Sequence, residues 1–277
     1  MPELPEAESF RRYLDSNSIK RRIEAVEVHD ERVLGNASKE KMIYALKGHQ
    51  IDHTVRHGKY VGAELDSSQV LVLHFGMTGS VKFFNKNDTP PRFATMQLNF
   101  EDGHCLAFTC IRILCRVFLS ESMKEFIEWK KLGPDALNGL SMDLFKELIS
   151  RRTGRIKAVL MDQHFLAGIG NIYADEILFR SGIHPMRTAD SISEGEIASL
   201  FNNIGDVLGK AVDEGADWER FPDDYLLTVR GPMGRCPSCG TRLEMVRVSG
   251  RSSYYCPHHQ FLGQVHSIDP PSHRMIF

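Results

Sequence analysis

The chain has no run of about 18 apolar residues, so no membrane-spanning helix is expected. Nothing at its start reads as a signal or transit peptide, and the expected setting is cytoplasmic and reducing. It has no surplus of either charge: 34 Lys and Arg face 36 Asp and Glu, for a net charge of −2. A global basic field announcing a polyanion partner is therefore absent, although local distribution matters more than the sum. Basic clusters do occur at Lys20-Arg21-Arg22, at Arg151, Arg152, Arg155 and Lys157, and from Arg230 through Arg251. Such runs are usually solvated faces and carry weight only beside other signals. No internal repeat is present. At 277 residues the chain is long enough for two domains with real cores.

The first six residues, Met1-Pro2-Glu3-Leu4-Pro5-Glu6, carry the strongest signal. Removal of Met1 before the small Pro2 exposes a secondary amine. An α-amino group has a reference pKa near 8, about two units below a Lys side chain, so a usable fraction is neutral at pH 7. A neutral amine attacks electrophilic carbon and forms a Schiff base. Glu3 beside it is a candidate to move protons for the same reaction. The competing reading is an irregular leader, because Pro breaks regular structure.

Near the other end the sequence runs Cys236-Pro-Ser-Cys239-Gly240, and residues 240–255 separate this pair from Cys256-Pro-His258-His259-Gln260. Two pairs of soft ligands with two residues inside each pair match a structural zinc ribbon, here Cys236, Cys239, Cys256 and His259. His258 leaves a gap of one residue and is the weaker ligand. A disulfide within the set, or a redox motif at Cys236 and Cys239, is the alternative. A closed four-ligand site has no open position, so such a zinc holds a loop and does no chemistry. Arg247 and Arg251 lie on the hairpin it would brace, where guanidiniums reach phosphates or base edges. The other three cysteines, Cys105, Cys110 and Cys115, sit in apolar strand-like sequence and read as buried free thiols.

Between these ends the organisation is α+β. Residues 5–15 read as a helix with Pro5 near its start. From Ile23 to Leu119, short alternating runs break at Gly, Asn or Asp: 23–28, 48–57, 60–65, 70–75, 80–84, 95–100, 105–111 and 116–119. Strands at this spacing indicate a β-sandwich or barrel-like domain. Residues 122–131, 141–152, 155–161, 171–182 and 193–214 then carry helical periodicity. The expected units are a β domain over 1–132, a helical domain over 133–220, a zinc hairpin over 221–263 and a tail over 264–277. Within the helical unit, a helix ends near Asp162, a tight turn holds Gly168 and Gly170, and a new helix starts at Asn171. Asn is a preferred cap, and a helix N-terminus is an anion site. A plain helical corner is the bland reading; a helix-two-turn-helix clamp on DNA phosphate is the sharper one.

These motifs together resemble the formamidopyrimidine-DNA glycosylase and endonuclease VIII family of base-excision repair enzymes. The Pro-Glu-Leu-Pro-Glu start, the Ala167-Gly-Ile-Gly-Asn-Ile-Tyr-Ala174 turn and the zinc hairpin ending at Gln260 match it in order, across roughly residues 1–260. The resemblance implies a bifunctional DNA glycosylase and abasic-site lyase acting as a monomer on damaged double-stranded DNA in the cytoplasm, at the nucleoid. It implies Pro2 as the nucleophile, Glu3 as its acid/base partner and Lys59 as the β-domain Lys near the lesion phosphate. It further implies DNA contacts from His74, Met77, Arg112, Leu114, Lys157, Asn171 and Arg251, and one structural zinc. The alternative is a DNA-binding protein of the same fold with impaired catalysis, against which retention of Pro2, Glu3 and Lys59 argues.

The chain departs from the family in three places. Cys110-Ile-Arg112-Ile-Leu114-Cys115 stands where relatives carry Asp-Pro-Arg-Arg-Phe-Gly, so a Leu replaces the aromatic wedge. The stretch between Trp218 and Cys236 is short, and Arg230 occupies the usual Tyr position. These departures weaken a claim for 8-oxoguanine. They favour ring-opened purines, hydantoins or oxidised pyrimidines.

Overall fold

The computed structural model describes residues 2–262, so Met1 and the tail expected over 264–277 lie outside the described residues. The first helix, α1 (Leu4–Ser18), begins with a reciprocal capping box: the Glu3 side chain accepts from the third-position amide, and the Glu6 side chain accepts from the Glu3 amide. Pro5 fits this first turn because its missing N–H has no helical partner to lose. Leu4 of this helix packs in the core of the helical domain, while Ala7 and Leu14 pack in the core of the β domain. The helix therefore pins the chain start to the junction of the two.

The β domain is two four-stranded antiparallel sheets. One runs β1 (Ile23–Val28), β6 (Ala94–Phe100), β7 (His104–Cys110), β5 (Gly79–Asn85). The other runs β2 (Ile51–His57), β3 (Tyr60–Leu65), β4 (Val70–His74), β8 (Arg116–Ser120). Alternation sends Val61, Ala63, Leu71, Leu73, Val117 and Leu119 from one sheet against Val26, Val28, Met96, Leu98, Leu106 and Phe108 from the other. Val70, Val72 and Phe118 point the other way and are covered by Met123 and Phe126 of α3 (Met123–Lys130). One element departs from the expected all-strand pattern. Residues Lys39–Leu46 form helix α2, capped by the Ser38 hydroxyl on the Lys41 amide and burying Met42, Ala45 and Leu46.

The second departure is covalent. Cys110 and Cys115, expected as free thiols, form a disulfide across residues 111–114, while Cys105 remains a buried free thiol. The crossing between the two sheets explains it: Cys110 ends β7 in one sheet and Cys115 immediately precedes β8 in the other, and the short connection leaves their Cα atoms 6.2 Å apart, within disulfide range.

Helices α4 (Met142–Ser150), α5 (Ile156–Met161), α6 (Asn171–Arg180) and α7 (Glu194–Asp213) build the second core around Phe145, Leu160, Tyr173, Ile177, Ile204 and Leu208. The C-terminal hairpin pairs β9 (Glu244–Val248) with β10 (Arg251–Tyr255). Ser249 and Gly250, both at positive φ, turn it. The β10 strand packs on α6.

Candidate active site and nucleic-acid interface

The chain start meets the turn before α6. Leu4 donates its amide to the Gly168 carbonyl at 3.1 Å. The Glu3 carboxylate sits over the N-terminus of α6 and accepts three amides, from Gly170 (2.8 Å), Ile172 (2.9 Å) and Tyr173 (3.3 Å). A helix N-terminus supplies unpaired N–H groups and a partial positive charge, which suits an anion. The anion held at α6 is thus an internal carboxylate. Asn171 is the first helical residue, the cap being Gly170 with no side-chain cap bond, which corrects the expectation of an Asn171 cap. Gly170 is required because a Cβ there would lie 2.2 Å from Glu3 Cδ.

Around Glu3 is a second acidic group. Glu6 accepts the Glu3 amide at 2.9 Å and the Tyr173 hydroxyl at 3.2 Å. Burial, with the Glu3 charge nearby, raises the Glu6 carboxyl above the usual carboxylate range, and burial also raises the Tyr173 phenol. Neither residue was singled out as functional from the sequence, although Glu6 stands inside the N-terminal motif.

Lys59 lies in the two-residue turn between β2 and β3. Arg56 anchors that turn: it is nearly buried and forms a forked pair with Asp135, whose carboxylate also accepts the Gly58 amide. Gly58 has φ +55°, and a Cβ on it would meet Ala167 Cβ at 2.7 Å. The β-domain turn therefore closes directly on the helical-domain turn. Burial lowers the Lys59 ammonium below its ordinary range, opposed by the nearby Glu3 charge and assisted by Arg251.

Lys59, Asn171 and Arg251 line one cleft of about 290 Å³, together with Gly170, Ser249, Ala158, Met161 and Asp162. Three separate parts of the chain thus supply donors to a single hollow beside Glu3. Lys157 does not reach that surface. It is fully buried, donates to Asn171 Oδ1 at 2.8 Å and pairs with Asp175 at 2.7 Å, so it orients Asn171 rather than offering a charge to solvent.

Asp175 is the residue the sequence reading passed over. Its carboxylate also takes the Arg230 guanidinium at 2.8 Å, the Ser253 hydroxyl at 2.5 Å and the Tyr254 amide at 3.1 Å. It fastens β10 to α6 and so fixes where Arg251 projects. The signal was a carboxylate one turn into a helix otherwise buried at that face. Arg230, at the position where the family usually has Tyr, is recruited to this lock.

On the β domain, His74 pairs with Arg116 across β4 and β8, with the Tyr60 ring 4.9 Å away. Burial and the cations Lys59, Lys130 and Arg116 push its imidazole down to about 4, so it is neutral near pH 7. Beyond it, Met77, Ile111 and Leu114 are 42%, 60% and 48% exposed, unusual for large apolar groups that lie together. The Arg112 amide donates to the Thr78 hydroxyl at 3.2 Å, joining the two loops that carry them.

Cys236, Cys239, Cys256 and His259 bring their ligand atoms within 4.8 Å of one another. His259 Nε2 is buried with no hydrogen-bond partner, which fits a nitrogen meant for a metal. This donor set holds a structural zinc. Gln260 closes the base of the finger by accepting from the Cys256 amide and donating to the Ile183 carbonyl, both at 2.9 Å.

Comparison with known proteins agrees with this assembly. Residues 1–117 match the formamidopyrimidine-DNA glycosylase N-terminal domain, 132–222 its helix-two-turn-helix domain, and 235–258 a zinc finger found in that glycosylase and in isoleucyl-tRNA synthetase. The formamidopyrimidine-DNA glycosylase of Pelotomaculum thermopropionicum is 34% identical over 270 residues, covering 93% of this chain and 98% of that protein. The Arabidopsis thaliana protein of the same name is 31% identical, over 95% of this chain and 71% of its own length. Among solved structures, the Lactococcus lactis glycosylase bound non-covalently to DNA containing an AP site superposes with TM-score 0.86 at 28% identity, covering 94% of this chain and 99% of that one. A MutM protein in complex with DNA containing carbocyclic 8-oxo-G superposes equally well, with TM-score 0.86 at 28% identity and the same coverage.

Proposed function

The chain belongs to the formamidopyrimidine-DNA glycosylase family, and on that premise we propose that it excises damaged bases from duplex DNA and cleaves the strand at the resulting site. The observation that carries this reading is the single cleft shared by Lys59, Asn171 and Arg251, set beside a chain start whose Glu3 is clamped by the α6 amides.

The chemistry follows from that placement. A stacked nucleotide hides C1′, so the damaged nucleotide must leave the helix, at a cost of a few kcal/mol. Lys59, Asn171 and Arg251 hold its phosphates while Met77 and Leu114 occupy the gap and Arg112 meets the orphaned base. The Pro2 nitrogen bonds to C1′, the bond from C1′ to the base breaks, and the base leaves with a proton. Sugar-ring opening gives an iminium. Its pull on electrons acidifies the C2′ proton, whose removal expels the 3′ phosphate; a second elimination expels the 5′ phosphate. Glu3, adjacent in the chain and fixed in place, is the group assigned to these proton movements. Zinc takes no step: it braces the hairpin that presents Arg251.

We assign the protein to the cytoplasm, at the nucleoid, and to action as a monomer. For lesion choice, Leu114 in the wedge position and the short 218–236 stretch support an open, weakly discriminating pocket. Hydantoin, formamidopyrimidine or oxidised-pyrimidine lesions are expected to be excised faster than 8-oxoguanine opposite cytosine. Side-by-side single-turnover rates test this, and a clear preference for 8-oxoguanine contradicts it.

A further inference from the structure

The loop that carries Arg112 and Leu114 is built unlike the other turns of the β domain. Its two ends are joined by the Cys110–Cys115 disulfide, whose residues are 1% and 0% exposed. Between them Ile113 adopts φ +50°. A β-branched residue in the left-handed region is a genuine outlier and persists only where the surroundings hold it. The Arg116 guanidinium helps by donating to the carbonyls of Ile113 (3.1 Å) and Cys115 (2.7 Å). The result is a short, cross-linked tip whose apolar side chains, Ile111 and Leu114, nonetheless stand in solvent.

We propose that the Cys110–Cys115 disulfide is a positioning staple: it pre-orders the tip so that Arg112 and Leu114 enter the opened duplex without first losing conformational freedom. This rests on the duplex-binding role assigned above to the tip. An untethered loop of this length samples many shapes, and binding must select one, which weakens affinity. A staple at the loop's own ends removes those shapes before DNA arrives. It also explains why two cysteines bracket a segment that projects exposed apolar groups, Ile111 and Leu114, on either side of Arg112. In the reducing setting expected from the sequence such a bond forms and opens with the redox state, so lesion binding strengthens when it forms and weakens when it is reduced. A dithiol opens it by two thiol–disulfide exchanges, in which Cys110 and Cys115 leave as thiols and the reductant becomes its cyclic disulfide.

Alkylation in denaturant without reductant is expected to modify four of the six cysteines, leaving Cys110 and Cys115 unmodified; modification of all six overturns the proposal. Binding is then measured on duplex carrying a tetrahydrofuran abasic-site analogue, with zinc content checked in every sample. Cys110→Ser/Cys115→Ser protein, and wild-type protein prepared throughout in a dithiol, are each expected to bind roughly five- to tenfold more weakly. On duplex carrying an excisable damaged base, the single-turnover plateau rate should change less than the half-saturating concentration. Adding Leu114→Phe to the double variant should recover affinity, because an aromatic face stacks between bases and offsets the lost order. Wild-type affinity in both staple-free samples overturns the proposal, as does a dithiol effect that persists in the double-serine variant. Failure of oxidised wild-type protein to bind the duplex at all would instead refute the function on which the proposal rests.

Discussion

At the scale of single residues, the site depends on a few contacts with no slack. Glu3 accepts three amides, so Glu3→Gln puts an NH2 against one of them and loses that bond, a cost of about 1–3 kcal/mol for a buried unsatisfied group. Base excision should fall by roughly 100-fold or more, the range for loss of a general acid/base. Single-turnover kinetics with a normal zinc content is the check, and near wild-type excision would remove Glu3 from the chemistry. His74 gives a stability signature. Its folded-state value, depressed to about 4, lies below the ordinary value of about 6.5, so the unfolded chain takes up the proton first. Stability from this group is complete above pH 6.5 and is lost as pH falls from 6.5 towards 4, by as much as about 3 kcal/mol. Urea melts across that window should show an acid limb that His74→Asn flattens; an unchanged limb assigns the loss to other groups.

At the scale of elements, the hairpin is held by one carboxylate. Asp175 faces the buried Lys157, Arg230 and two groups of β10, the Ser253 hydroxyl and the Tyr254 amide. Asp175→Asn leaves the Lys157 ammonium buried without its counter-charge, which costs about 3–5 kcal/mol for a broken buried pair. Both thermal stability and DNA affinity should drop while zinc stays bound. Retained affinity would mean Arg251 finds its place without the lock. Chelation of zinc is expected to weaken binding through the same residue, with Arg251→Ala giving about 1–3 kcal/mol and no metal loss. The elements themselves were largely legible, because sheets with one buried face and helices with one buried stripe print their periods on the sequence. Helix α2 was not: its eight residues are few, and its buried Met42, Ala45 and Leu46 fall in a segment otherwise dominated by strands. The disulfide was missed for a related reason, since Cys110 and Cys115 lie in apolar strand ends where a thiol packs like any small apolar group. The zinc set was readable because ligand spacing is local. Asp175 was not, because its four partners come together only after folding.

At the scale of the whole molecule, α1 joins two cores and places the chain start where three parts converge. That explains how a protein of net charge −2 presents a cationic cleft: Lys59, Arg251 and the donors around them are gathered by the fold, not by composition. Binding to duplex should therefore weaken steeply with salt, log K falling with a slope of about −0.9 per phosphate neutralised, and Arg251→Ala should reduce that slope by about one. A flat salt dependence would place DNA elsewhere.

The central claim is that the amine of Pro2 becomes covalently attached to the sugar of damaged DNA. Borohydride trapping on an abasic-site duplex, with protein whose N-terminus has been sequenced, tests it most directly. Protein beginning at Pro2 should give a stable one-to-one adduct with the cross-linked peptide at its N-terminus, and Pro2→Gly should reduce trapping severely. Full trapping by protein that retains Met1, or an adduct mapped to Lys59, contradicts the account.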